Sequence, residues 1–169
     1  EGFGNVGSFA AEYLSKAGAR IVAISDSKGC IYNKEGIDVK LLASVKKEKG
    51  SVKEYKPGTA LASNKIHELD VDVLIPGALP DIINASNVNK VKAKMIVEAA
   101  NIPIKEEFEE KLHNKGILIV PDVVANAGGV ISSYAEYRGY NPEHMFTLVE
   151  KKIAKNTKII LDYAKKNKI

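Results

Sequence analysis

The chain has 169 residues, 45% apolar and 27% charged, an ordinary globular composition that excludes a disordered tail and a mini-protein. Twenty-five Lys and Arg against 21 Asp and Glu leave +4, but only Arg20 and Arg138 are arginines, so the excess is diffuse hydrated lysine and no nucleic-acid partner is expected. Cys30, the single cysteine, forms no internal disulfide and no metal-ligand spacing is present; no apolar run approaches the roughly 20 residues of a membrane span, and Glu1-Gly2-Phe3 does not open a signal peptide, so a metal-free protein of the reducing cytoplasm is expected, without a membrane partner.

Short β-rich runs alternate with helical stretches, without repeats or a linker, which predicts one α/β domain. Gly2-Phe3-Gly4-Asn5-Val6-Gly7 enters a helix predicted over 5–17, with Val6, Phe9, Ala10, Tyr13 and Leu14 on one face and Gly18 as its stop. Residues 20–25 read as a strand. A second helix over 37–49 carries Leu41, Leu42 and Val45 inward and Lys46, Lys47 and Lys49 outward as a solvated face, closed by Gly50. Three runs then share one punctuation: 71–75 before Pro76, 95–98 before Ala99-Ala100-Asn101, and 117–120 before Pro121. Each predicts a buried parallel strand. Helices predicted over 81–89 and 105–114 separate them, a rhythm that gives right-handed crossovers and a covered parallel sheet. The rest reads as helix, over 123–138 and 142–166, with Pro142 in a first turn and Gly139 and Pro142 as a candidate hinge.

The opening G-x-G-x-x-G has a physical assignment. Gly2 permits a tight turn, Gly4 lets a pyrophosphate approach backbone, and Gly7 allows the helix to pack closely on a strand, while the helix N-terminus turns free N–H groups toward the phosphates. Asp26 follows the second strand, placed to accept hydrogen bonds from an adenosine ribose. Its charge favours NAD over NADP, although Ser27 and Lys28 are able to donate to a 2′-phosphate. The motif begins one strand late, so the expected fold is a Rossmann-like, doubly wound, mostly parallel sheet lacking its first strand, and residues 1–169 are expected to be a portion of a longer polypeptide.

Gly2 to Gly7, Ser25 to Tyr32, Asp70 to Leu79, Glu98-Ala99-Ala100-Asn101 and Val120 to Val130, with its Asn126-Ala127-Gly128-Gly129-Val130 block, occur in the order found in glutamate dehydrogenases. From Gly2 to about Tyr137 the chain resembles the nucleotide-binding domain of that family. The resemblance implies that Gly4, Asn5 and Val6 contact pyrophosphate, that Asp26 and Ser27 lie at the adenosine ribose, and that Ala78 is near the adenine side of the cleft. Asn101 and Asn126 would face the nicotinamide ribose and amide, with donors and acceptors for groups that have both; the plainer reading makes each a turn or cap residue. Ala99 stands where the family usually has glycine, its methyl toward the nicotinamide, and Ile102-Pro103-Ile104 replaces Gly-Pro-Thr.

Ser133, seven residues after Asn126 and almost two turns along the same predicted helix, matches the serine that binds the substrate side-chain carboxylate in glutamate dehydrogenases. It implies L-glutamate and 2-oxoglutarate rather than the apolar substrates of the related leucine and phenylalanine enzymes. The family's catalytic lysine and carboxylate belong to an N-terminal substrate domain outside this chain. No catalytic residue is therefore assigned among His67, His113, His144 or the lysines. The family's hexamers imply a homo-oligomer for the full protein. The competing readings are a stand-alone dinucleotide-binding module without catalysis and a leucine- or phenylalanine-type domain.

Overall fold

The computed structural model describes residues 1–167. Its elements run α1 (Asn5–Lys16), β1 (Ala23–Asp26), β2 (Gly29–Tyr32), α2 (Val39–Lys49), β3 (Thr59–Leu61), β4 (Val73–Leu74), β5 (Met95–Val97), α3 (Glu106–Asn114), β6 (Leu118–Val120), α4 (Asp122–Ala125), α5 (Gly128–Tyr137) and α6 (Pro142–Asn167). The three proline- or alanine-punctuated runs form one parallel sheet, in the order β4-β5-β6, with Val73 opposite Met95 and Ile96 opposite Ile119. A second sheet, β1-β2-β3, is antiparallel, with Ile24 opposite Ile31 and Ile31 opposite Ala60.

That second sheet corrects the expectation of a mostly parallel arrangement. Asp26 Oδ1 accepts from the amides of Lys28 at 2.8 Å and Gly29 at 3.2 Å, which reverses the chain at the end of β1. The next apolar run, Gly29-Cys30-Ile31-Tyr32, thus pairs directly back on β1 instead of crossing over.

The predicted helix over 81–89 does not form. Asp81 has φ 55°, and asparagine side chains take the bonds a helix would use: Asn87 Oδ1 accepts from Asn84 N at 2.8 Å, Asn87 Nδ2 donates to Ile82 O at 2.8 Å and Asn84 Nδ2 to Asp81 O at 2.8 Å. A single 3-10 turn over Val88–Lys90 remains. The predicted helix over 123–138 is broken into α4 and α5 at Asn126–Ala127, where Asn126 turns its side chain away to Ala100.

Two apolar clusters carry the packing. One gathers Phe3, Ile24, Ile31, Leu42 and Val52 around the antiparallel sheet, and the other gathers Leu74, Ile83, Ile96, Phe108 and Leu112 around the parallel sheet. In α2, Asp38 caps the first turn by accepting from Lys40 N and Leu41 N at 2.9 and 3.0 Å, and Gly50 ends the helix in the left-handed region. Leu42 is fully buried and Val45 packs on the cluster, whereas Leu41, expected inward, is exposed. The apolar stripe of α1 forms as spaced, yet Val6, Phe9 and Tyr13 face outward and Ala11 is the buried residue. No helix among the described residues is long and apolar enough to cross a membrane.

Candidate functional site

The opening loop has three glycines in three different conditions. Gly2 has φ +85°, and a Cβ there would lie 2.8 Å from the Ala78 methyl. Gly7 would drive a Cβ into the carbonyl of Gly2, so the close packing it permits is against its own loop rather than against a strand. Gly4 has no atom within 4 Å of its Cβ position, leaving open space over the start of α1. No side chain caps that helix, so its first amides keep the unpaired donors and positive dipole that favour an anion.

The segments that follow the strands converge on this loop. Val6 and Ala99 lie 3.9 and 3.7 Å from the Cβ position of Gly77. The amides of Ala99 and Ala100 both donate to Pro76 O, at 3.0 and 2.9 Å, which stacks the turn after β5 on the turn after β4. Asn126, just past α4, donates through Nδ2 to Ala100 O at 3.2 Å and to Asn101 Oδ1 at 2.8 Å. Gly2 and Ala78, Ala99 beside Gly77, and the Asn101–Asn126 pair thereby lie together where the opening loop meets the turns after β4, β5 and β6, with Gly4 at the start of α1. Small residues, Gly2, Gly77, Ala78 and Ala99, dominate these approaches, and the uncapped start of α1 is the kind of helix end that favours an anion.

Asp26 and Ser27 sit at the end of β1, with Ser27 exposed. The Asp26 carboxylate already holds its own turn and also accepts from Ser51 Oγ at 3.1 Å and Val52 N at 2.9 Å. Burial raises its pKa, but these hydrogen bonds outweigh burial and hold the group below the usual carboxylate range. Structural duty therefore occupies most of this carboxylate, and little acceptor capacity is left over.

Ser133 is exposed on α5 with its Oγ donating to Gly129 O at 3.2 Å. The break at Asn126–Ala127 removes the shared helix from which its alignment with Asn126 was expected; Asn126 caps the end of α4, and Ser133 lies within α5.

Sequence reasoning missed four residues that hold these turns in place. Ser25, buried, accepts from Gly2 N through Oγ at 3.3 Å and ties the glycine loop to β1. Lys46, expected on a solvated face, donates to Phe3 O at 2.6 Å and lies 5.5 Å over the Phe3 ring. Glu98, 1% exposed at the end of β5, accepts from Asp122 N at 3.0 Å, and Asp122 in turn accepts from Ile102 N at 2.8 Å. Burial, and next the charge of Glu109, push the Glu98 carboxyl up to about 8. Placement as the last residue of a predicted β-run is the one signal available for Ser25 and Glu98.

Cys30 is fully buried and burial pushes its thiol up to about 11, which makes it a poor nucleophile. His67 is buried beside its own turn, with Nδ1 3.3 Å from Asn64 O, and burial lowers its pKa.

The family model for Glutamate/Leucine/Phenylalanine/Valine dehydrogenase matches residues 1–169. A glutamate dehydrogenase of Aeropyrum pernix is 42% identical over 99% of this chain and 41% of its own length. One from Thermotoga maritima is 51% identical over 81% of the chain and 33% of its length, and an NADP-specific glutamate dehydrogenase of Saccharolobus shibatae is 44% identical over 81% and 32%. The solved hetero-hexameric glutamate dehydrogenase of Thermus thermophilus, in its Leu-bound form, superposes with a TM-score of 0.84 at 28% identity, covering 99% of this chain and 41% of that one. The chain thus spans between about a third and two fifths of the curated relatives it matches.

Proposed function

The chain belongs to the Glutamate/Leucine/Phenylalanine/Valine dehydrogenase family, and from that premise we propose that it is the NAD(P)-binding portion of an enzyme that oxidatively deaminates L-glutamate. The observation that carries this reading is the packing of the glycine loop, which opens the uncapped α1, against the turns after β4 and β5, with Asn126 tying the segment after β6 to them.

In this reading the two sheets are halves of one doubly wound, Rossmann-like sheet. Glu1 N donates to Ile75 O at 2.7 Å and Glu1 O accepts from Gly77 N at 3.0 Å, the alternation of a strand beside β4, while Gly2 N reaches Ser25 on the other side. A strand leading into Glu1 would join β1 to β4, and an N-terminal substrate domain would supply the catalytic acid and base.

This arrangement is read as a dinucleotide site. Gly2, Gly4, Asn5, Val6 and Gly7 would hold the pyrophosphate, where open space above Gly4 meets unpaired amides. Asp26 and Ser27 would border the adenosine ribose, with NAD preferred on charge, and Ala78 the adenine. Ala99, Asn101 and Asn126 would orient the nicotinamide half. When bound, the nicotinamide supplies the acceptor for a hydride leaving the substrate Cα. The work of this chain is to set the ring's position and to exclude water from it; Ser133 is the residue proposed for the substrate side-chain carboxylate. By resemblance the full polypeptide is a homo-hexamer.

Fluorescence titration with NADH tests the site: Gly4→Val should abolish binding by filling the space over α1, and retained affinity would refute it. In the full polypeptide, turnover of glutamate over leucine tests the substrate.

A further inference from the structure

The turn after β5 holds an uncommon conformation. Ile102 has φ +44°, a region that β-branched residues disfavour strongly, and 62% of its surface is exposed, so packing does not impose it. Hydrogen bonds do. Ile102 N donates to Asp122 Oδ2 at 2.8 Å, and Ile102 O accepts from Asp81 N at 3.0 Å, where Asp81 is the other non-glycine residue with positive φ among the described residues. Asp122 is itself held by Glu98, whose Oε2 accepts its amide at 3.0 Å from a buried position. Asn101 is the neighbour of Ile102, so the dihedral angles that this clamp sets also aim the amide that meets Asn126 at 2.8 Å.

We propose that Asp122 is a positioning residue for the nicotinamide half of the dinucleotide: by holding the Ile102 amide it keeps Asn101 against Asn126, without touching the cofactor itself. The inference rests on the cofactor reading above and deepens it. Loss of the bond lets Ile102 relax to negative φ and swings Asn101 away. The adenosine and pyrophosphate contacts, on the glycine loop and β1, stay where they are. Asp122 thus acts on one end of the ligand only.

Calorimetric titration of the full polypeptide with NADH and with ADP-ribose, which lacks the nicotinamide, separates the ends. Asp122→Ala should weaken NADH about tenfold, the scale of one lost charge-assisted hydrogen bond, and leave ADP-ribose within about twofold. Asp122→Asn, which keeps an acceptor oxygen, should stay near the parent, and Ile102→Gly in the Asp122→Ala background should recover most of the loss, because glycine adopts positive φ freely. If the Ala variant does not fold, Asp122→Ser, too short to reach the amide, takes its place with the same expectations. Equal weakening of both ligands, no weakening of NADH, or an Asn variant as poor as Ala overturns the proposal. A parent that binds neither ligand refutes the cofactor site instead.

Discussion

Asn126 and Asn101 come from turns 25 positions apart and meet through one hydrogen bond, Nδ2 to Oδ1 at 2.8 Å. The pairing leaves the Asn101 NH2 and the Asn126 carbonyl oxygen available to a ligand. Asn126→Asp replaces the donor with an acceptor and sets two oxygens against each other. The expected result is a stability loss of about 1–3 kcal/mol in urea and weaker NADH binding. A variant with parental stability would show that this pair does not bind the two turns together.

Gly4 and Gly7 separate binding from folding. Gly7→Ala gains about 1 kcal/mol of helix propensity, but the methyl meets the Gly2 carbonyl, and the clash should win. A lower Tm is expected. Gly4→Ala meets no atom within 4 Å, so its Tm should hold while NADH affinity falls. The reverse pattern in thermal melts would contradict the loop geometry.

Glu98 makes stability depend on pH. Its carboxyl is raised from 4.5 to about 8 by burial and by the charge of Glu109, with Asp122 on α4 adding to it; Glu109 is itself raised by burial and by the charges of Asp122 and Glu106. Between those values the folded chain binds the proton and the unfolded chain does not, so stability present below about pH 4.5 is lost as pH rises through 8. Glu98→Gln keeps an acceptor for Asp122 N and has no proton to lose, so its denaturation midpoint should be flatter across this window and higher than the parent's at pH 8.5. An unchanged slope would place the titration elsewhere.

Asp26→Ala is a poor probe of ribose binding alone, because the carboxylate accepts from Lys28, Gly29, Ser51 and Val52. It should cost about 2 kcal/mol or more of stability through the unpaired amides, measurable without any nucleotide. Since the folded carboxyl lies below its ordinary value, the stability it gives is present above that value and fades as pH falls through the folded pKa. Parental urea stability for this variant at pH 7 would show that its hydrogen bonds are dispensable.

What was legible followed from local chemistry. The glycine loop, α1, α2 with its glycine stop, α3 and the three parallel strands all carry their signals within a few residues. The β1–β2 hairpin was missed although Asp26-Ser27-Lys28-Gly29 is turn chemistry, because the acid had been assigned to a ligand. The helix expected over 81–89 failed because side-chain amides compete with the backbone, an effect that apolar spacing does not register. In the site, residues with distinctive backbone needs were visible, and those that act through a partner distant in sequence were not. Lys46 reads as one of several helix lysines until the fold brings it to Phe3 O, 43 positions away. Asp122 likewise has no meaning until Ile102 lies beside it.

The antiparallel and parallel sheets have separate apolar clusters with no residue in common. Each half therefore has a core of its own, joined to the other mainly through Glu1 and Gly2, and scanning calorimetry of the free chain should resolve two transitions. The glycine loop packs on one half and the paired asparagines on the other, so at the proposed site a nucleotide would lie across both as mortar between two bricks. Saturating NADH should fuse the two heat-absorption peaks into one cooperative event.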